Sequence, residues 1–200
     1  MATTTQALKA RSTGRLLTGF ALLALGGWLV VSGLSAAPQH VLTFQLEQEA
    51  KQLDRMSAQA AREESVDYML SVAARYPENT ALHATAYKAA MKVALHHTAP
   101  ASLIKRWSLQ ARGASLLRQR PHAGVLWLYH AHALAHAVPG DEPPPAAALA
   151  AFERAYTLGK YDYAHFALRA AFCERFNAGM PQRLRKMCAQ MEEIAKETAS

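Results

Sequence analysis

Two cysteines, seven arginines and lysines in an acid-free stretch, and a pair of histidines one helical turn apart are the residues of this chain whose chemistry is open to argument. Cys173 and Cys188 stand symmetrically about the turn Asn177–Pro181, so an antiparallel hairpin sets them face to face. In an oxidising compartment that spacing predicts a disulfide, with two buried thiols as the alternative. Between Asn79 and Gly140 there is no acidic residue, while Lys88, Lys92, Lys105, Arg106, Arg112, Arg118 and Arg120 all fall there. Fixed positive charge of this kind attracts anions unless carboxylates from elsewhere neutralise it, with Glu63, Glu64, Asp67 and Asp141 the candidates. Lys105, Arg106, Arg112, Arg118 and Arg120, with the aromatic pair Trp127 and Tyr129, are the candidate surface for an anionic ligand or a partner. Trp127 also fits a core position, the commoner place for an indole.

His132 and His136 share a helix face, and His-x3-His can contribute two metal ligands. No carboxylate or cysteine follows at a spacing that completes three or four ligands, so no metal is expected and the pair reads as polar residues on a helix surface or groove. Glycine-rich phosphate loops, Gly-x-Ser-x-Gly and His-Glu-x-x-His are absent from the sequence. No catalytic residue and no cofactor are assigned, and the chain reads as a non-enzyme.

The elements that must position these groups are helical. Val, Ile and Thr are sparse after residue 45 and alanine is abundant, which favours helix over sheet. Apolar residues recur at three- and four-residue steps from Phe44 to about Arg75, with a bend or fresh start at Glu63–Ser65. Tyr76-Pro77 ends that run, because a residue preceding proline is pushed out of the helical region. Further helices are predicted over Thr80–His97, Ala101–Arg120, Ala123–Ala137, Ala146–Leu158, Tyr161–Phe176 and Gln182–Thr198, separated by prolines and glycines. This gives an all-α chain of stacked antiparallel helical hairpins. Ala148, Phe152 and Ala155 match the A-x3-F-x2-A spacing of the second helix of a tetratricopeptide repeat, and Trp127, Ala131 and Leu134 suit the first.

Upstream, residues 16–37 (LLTGFALLALGGWLVVSGLSAA) carry no charge. At ~1.5 Å per residue a helix of that length spans a ~30 Å hydrocarbon core. The preceding segment 1–15 holds Lys9, Arg11 and Arg15 and no acid, which orients the N-terminus to the cytoplasm and residues 38–200 to the periplasm. A cleaved signal peptide is the rival reading, disfavoured by the length of the apolar run and by Pro38 after the small residues. Of the net charge of +7, the outer region keeps 19 basic and 15 acidic residues, net +4, which is no nucleic-acid signature.

The segments LRQRPHAGVLWLYHAHALAH and AALAAFERAYTLGKYDYAHFALRAAFCERF resemble the repeat-like outer region of VpsP-type exopolysaccharide biosynthesis proteins. They share an arginine-rich helix end before a proline, a Trp four residues ahead of an Ala, and the A-x-x-R-A-x-x-L-G segment, here Ala151–Gly159. The likeness covers roughly residues 105–180 plus the anchor. It implies a single-pass inner-membrane protein with a periplasmic helical domain. Its role would be a non-catalytic accessory or scaffold in exopolysaccharide biosynthesis or export. Envelope polysaccharide-assembly proteins are the implied partners, with an acidic glycan as a further ligand and no nucleic acid. A protein-binding helical-repeat module of a secretion or cell-division complex is the alternative.

Overall fold

A computed structural model describes residues 39–136, 143–159 and 162–198. The basic tail 1–15, the apolar segment 16–37 and most of the Pro139–Pro145 turn lie outside the described residues. Among the described residues no helix is long and apolar enough to cross a membrane. The chain divides into two compact units, Met1–Gln45 and Leu46–Ser200, and the second contains the helical core.

The fold is all-α. Helix α1 covers 39–52 and runs into a 3-10 turn at Leu53–Arg55. It is followed by α2 (Gln59–Ala74), α3 (Thr80–Leu95), α4 (Pro100–Arg106) and α5 (Leu109–Gln119). Next come α6 (Gly124–Ala135), α7 (Ala146–Gly159), α8 (Phe166–Phe176) and α9 (Gln182–Thr198). The boundaries follow local chemistry. Asn79 caps α3 by accepting from the Ala81 and Leu82 amides, both at 3.1 Å. Pro100 opens α4, where its missing N–H costs nothing.

Two expectations need correction. The first helical run breaks at Leu53–Ala58, ahead of the expected bend at Glu63–Ser65. There Arg62 folds back to donate to the Met56 carbonyl at 2.8 Å. The helix expected over Ala101–Arg120 is two helices, because Ser108 adopts a left-handed conformation (φ 51°) between α4 and α5. The buried Trp107 beside it donates through Nε1 to Asp67 of α2 at 2.7 Å. That tether and the strained serine are tertiary effects that no proline or glycine announces.

Helix α3 is central, with α2, α4, α5 and α6 all packed on it. Its contact with α5 and α6 explains Gly113. Mid-helix glycine costs about 1 kcal/mol relative to alanine. Here a Cβ would lie 2.5 Å from the Tyr87 hydroxyl and 2.6 Å from His130 Nδ1, so no other residue fits without displacing them. Helices α6 and α7 approach through alanines, with Ala131 and Ala135 facing the buried Ala148, Ala151 and Ala155. Phe152 stacks on Phe172 of α8 with ring centroids 4.4 Å apart and planes within 8°. The A-x3-F-x2-A spacing is therefore wholly a packing motif: its three residues are buried in this core. Cys173 of α8 and Cys188 of α9 are joined by a disulfide, with Cα atoms 5.8 Å apart.

Candidate functional site

Two adjoining clefts occupy one face of this unit. The larger, about 500 Å³, receives Lys92, Leu95 and His96 from α3 and Tyr129, His132 and His136 from α6. Its third wall is α8 with the 3-10 turn before it, through His165, Leu168, Ala171 and Arg175 among others. The smaller, about 280 Å³, is lined by Glu47 and Lys51 of α1, by Asp54, by Thr85 and Lys88 of α3, and again by Lys92 and Tyr129. The two shared side chains make the clefts neighbours along one groove. Among the described residues the walls of these two clefts come from α1, α3, α6 and α8 and the short turns that follow α1, α3 and α6 and precede α8; a third cleft of about 210 Å³, which shares Asp54, Lys92 and His96 with them, adds Arg62 of α2.

The back wall of the larger cleft is a buried aromatic column. His132 and His136 stack with centroids 5.7 Å apart. Phe172 meets His132 edge-on at 5.1 Å, and Phe176 meets His136 at 5.7 Å. The two imidazoles are 2% and 8% exposed, so of the two places expected for them, a helix surface or a groove, they occupy the groove. Their four-residue spacing marks a shared face, but the residues around them, mostly alanine and leucine on a helix apolar nearly all round, carry no sign of which face is inside.

The Nε2 of His132 lies 3.0 Å from the Leu168 carbonyl. A carbonyl only accepts, so Nε2 carries the proton and Nδ1 is bare. Burial pushes the His132 pKa down to about 4, against the raising effect of the Leu168 bond; the charges of His136 and Arg175 push the same way as burial. Burial, then Arg175, brings His136 to about 4 as well. Both rings are neutral at pH 7. On the rim, Lys92 pairs with Asp54 at 2.6 Å and His165 with Asp162 at 2.8 Å. Arg175 lies over the Phe176 ring at 5.6 Å and makes no ion pair among the described residues. Burial raises the Tyr129 phenol above its ordinary pKa, helped by the negative charge of Asp54. No group of three His, Cys, Asp or Glu able to hold a metal occurs among the described residues.

The basic residues singled out from sequence as the candidate surface are engaged in different ways, and none of them lines the groove. Lys105 is exposed on α4. Arg106 beside it is committed to α2, pairing with Glu63 at 2.8 Å and with Asp67. Two of the four carboxylates expected to offset the basic stretch thus do so, at this one arginine. Arg112 donates through Nε to the Trp107 carbonyl at 2.8 Å and lines a separate cleft of about 320 Å³ with Pro77 and His83. Arg118 and Arg120 are exposed at the end of α5. Trp127 donates to the Pro121 carbonyl at 2.8 Å and packs on the α6–α7 core. Of the whole set Tyr129 alone lines the groove. Lys92 and Arg175, which also line it, sit on helices far apart in sequence, and only packing reveals the pairing.

Compared with family descriptions, curated proteins and solved structures, the chain matches none.

Proposed function

We propose that this chain is a non-catalytic binding and scaffold protein, built as a tetratricopeptide-like stack whose alternate helices line a groove for a partner. The observation that carries this is the helix usage of the two clefts: α1, α3, α6 and α8 supply their walls, and among the described residues α2 enters only through Arg62 of the third cleft beside them. A stack of helical hairpins produces such a bias when first helices line the concave side and the helices between them back it. The alanine-mediated α6–α7 contact and the A-x3-F-x2-A residues buried in it agree with such a hairpin. The larger cleft is within the size range of ordinary ligand sites, and among the described residues its lining has no carboxylate. The apolar segment 16–37 and the resemblance to VpsP-type proteins support placing the groove on the periplasmic face of a bacterial inner membrane, in exopolysaccharide biosynthesis or export.

The test is a photo-crosslinking amino acid at Tyr129 of the full-length chain in intact cells, with Arg118 as a control site outside the groove. Adducts at Tyr129 that contain polysaccharide polymerases, glycosyltransferases or export proteins support the reading. Adducts with secretion or division proteins would transfer it to those machines. Equal labelling at both sites, or none at Tyr129, would refute a groove that binds partners.

A further inference from the structure

A groove for a partner leaves the chemistry of the occupant open, and the larger cleft narrows it. Among the described residues its lining holds two permanent cations, Lys92 and Arg175, and no Asp or Glu. Lys92 is already compensated by Asp54. Arg175 is exposed, rests on an aromatic ring and has no carboxylate partner among the described residues. A guanidinium so placed recognises a carboxylate through its planar donor fork. Beside it the wall is apolar, made by Leu95, Leu168 and Ala171. Buried Phe172 and Phe176, with ring centroids 4.9 Å apart, anchor the inner face of α8 in the core.

Among the described residues the lining also lacks Ser, Thr, Asn and Gln. A sugar needs neutral donors and acceptors for each hydroxyl it buries, and an unpaired buried hydroxyl costs about 1–3 kcal/mol. Of the hydrogen-bonding side chains in the lining other than the two cations, His132 spends its Nε2 proton on Leu168, His96 Nδ1 lies 2.8 Å from the Lys92 carbonyl and His165 pairs with Asp162, which leaves Tyr129 and His136 to serve a sugar's several hydroxyls. The occupant that suits one cation and a greasy wall is a peptide with an acidic side chain next to an apolar one. The adjoining cleft, with Glu47 and Asp54 among Lys51 and Lys88, is mixed in charge and accommodates the polar continuation of a chain better than a long acyl tail.

Resting on the groove reading, we infer that the larger cleft takes an acidic, partly apolar peptide segment of a partner protein, its carboxylate against Arg175 and its apolar neighbour on Leu168 and Ala171. The experiment is selection of a phage-displayed random peptide library on the full-length chain, followed by fluorescence anisotropy with the enriched peptides. Enriched sequences should pair Asp or Glu with Leu, Met or Phe. Arg175→Glu, an exposed change, should weaken them at least about tenfold. Arg118→Glu, equally exposed and outside the cleft, should change affinity by less than about twofold. Circular dichroism of both variants separates lost binding from lost fold.

Absence of enrichment, enriched peptides without carboxylates, or binding indifferent to Arg175→Glu would each overturn the inference. Displacement of the peptide by an oligogalacturonate at equal concentration would overturn it too, by assigning the cleft to an acidic glycan. Neutral or basic peptides that still crosslink at Tyr129 would sink the acidic assignment alone and leave the groove standing. No peptide and no Tyr129 adduct would sink both.

Discussion

Replacing Gly113 by alanine sets two known magnitudes against each other. Alanine in a helix interior is favoured over glycine by about 1 kcal/mol, so propensity alone makes the variant more stable. The new Cβ, however, lies 2.5 Å from the Tyr87 hydroxyl, 2.6 Å from His130 Nδ1 and 3.0 Å from Tyr87 Cζ. Ordinary contact begins near 3.4 Å, so the hydroxyl must retreat by about 0.9 Å. Tyr87 is 1% exposed and has no solvent to retreat into. Overpacking of this kind costs about 1–3 kcal/mol, which offsets the helix gain and leaves a net loss of up to about 2 kcal/mol. For a chain of this size that lowers the melting temperature by up to roughly 8 °C. Tyr87→Phe supplies the internal check. The hydroxyl makes no hydrogen bond among the described residues, so its removal should be neutral or stabilising by up to about 1 kcal/mol. In the double variant it should recover about 1 kcal/mol of the alanine penalty. The assay is thermal and urea unfolding of the full-length chain followed by circular dichroism. A more stable Gly113→Ala, or a double-mutant cycle with no coupling, would refute the claim that this glycine is dictated by its neighbours.

Stability should also depend on pH through the histidine column. The folded pKa of His132 and of His136 is about 4, below the unfolded ~6.5, so the unfolded chain binds more protons between these values. Stability is then complete above pH 6.5 and falls as pH drops toward 4, by at most roughly 3 kcal/mol per ring. Urea unfolding of His132→Gln should show a flatter profile in that window, and an unchanged slope would count against neutral buried imidazoles. Reduction of the disulfide, or Cys173→Ser with Cys188→Ser, should cost about 3 kcal/mol for a loop of 15 residues, read as a lower urea midpoint. Asp67→Ala removes the acceptor of the buried Trp107 indole and a partner of Arg106, for an expected loss of about 1–3 kcal/mol and altered Trp emission. Arg106→Ala, which leaves the indole bond intact, should cost no more than about 1 kcal/mol.

The helical character and most element ends are legible in the sequence, because prolines and glycines mark them without reference to the rest of the fold. Pro77, Pro121 and Pro181 each stand between helices where expected, Pro100 opens α4, and Gly159 closes α7. The breaks at Leu53–Ala58 and Trp107–Ser108 are not legible, since one depends on a turn with no signature residue and the other on an indole held by a carboxylate 40 positions away. The same limit governs the site. An acid-free stretch of sequence is not an acid-free surface, because Glu63 and Asp67 come from another helix to meet Arg106. The groove is assembled from α3, α6 and α8, so Arg175, outside the basic stretch, is invisible in sequence as a partner of Lys92, while Tyr129 stands out there only as an aromatic near basic residues.

The covalent link between α8 and α9 bears on how the chain matures. With two cysteines in the sequence, one intramolecular pairing exists, so oxidation has no scrambled isomer to correct and needs an oxidant without a proofreading isomerase. Both partners belong to the α8–α9 hairpin and are separated by 15 positions, so the bond can close as soon as that hairpin forms. It then ties α8, which carries Arg175 into the larger cleft, to α9, so that the two helices open together rather than singly. Wrong pairing is left one route, between two copies of the chain, and its yield would rise with crowding at the moment of synthesis.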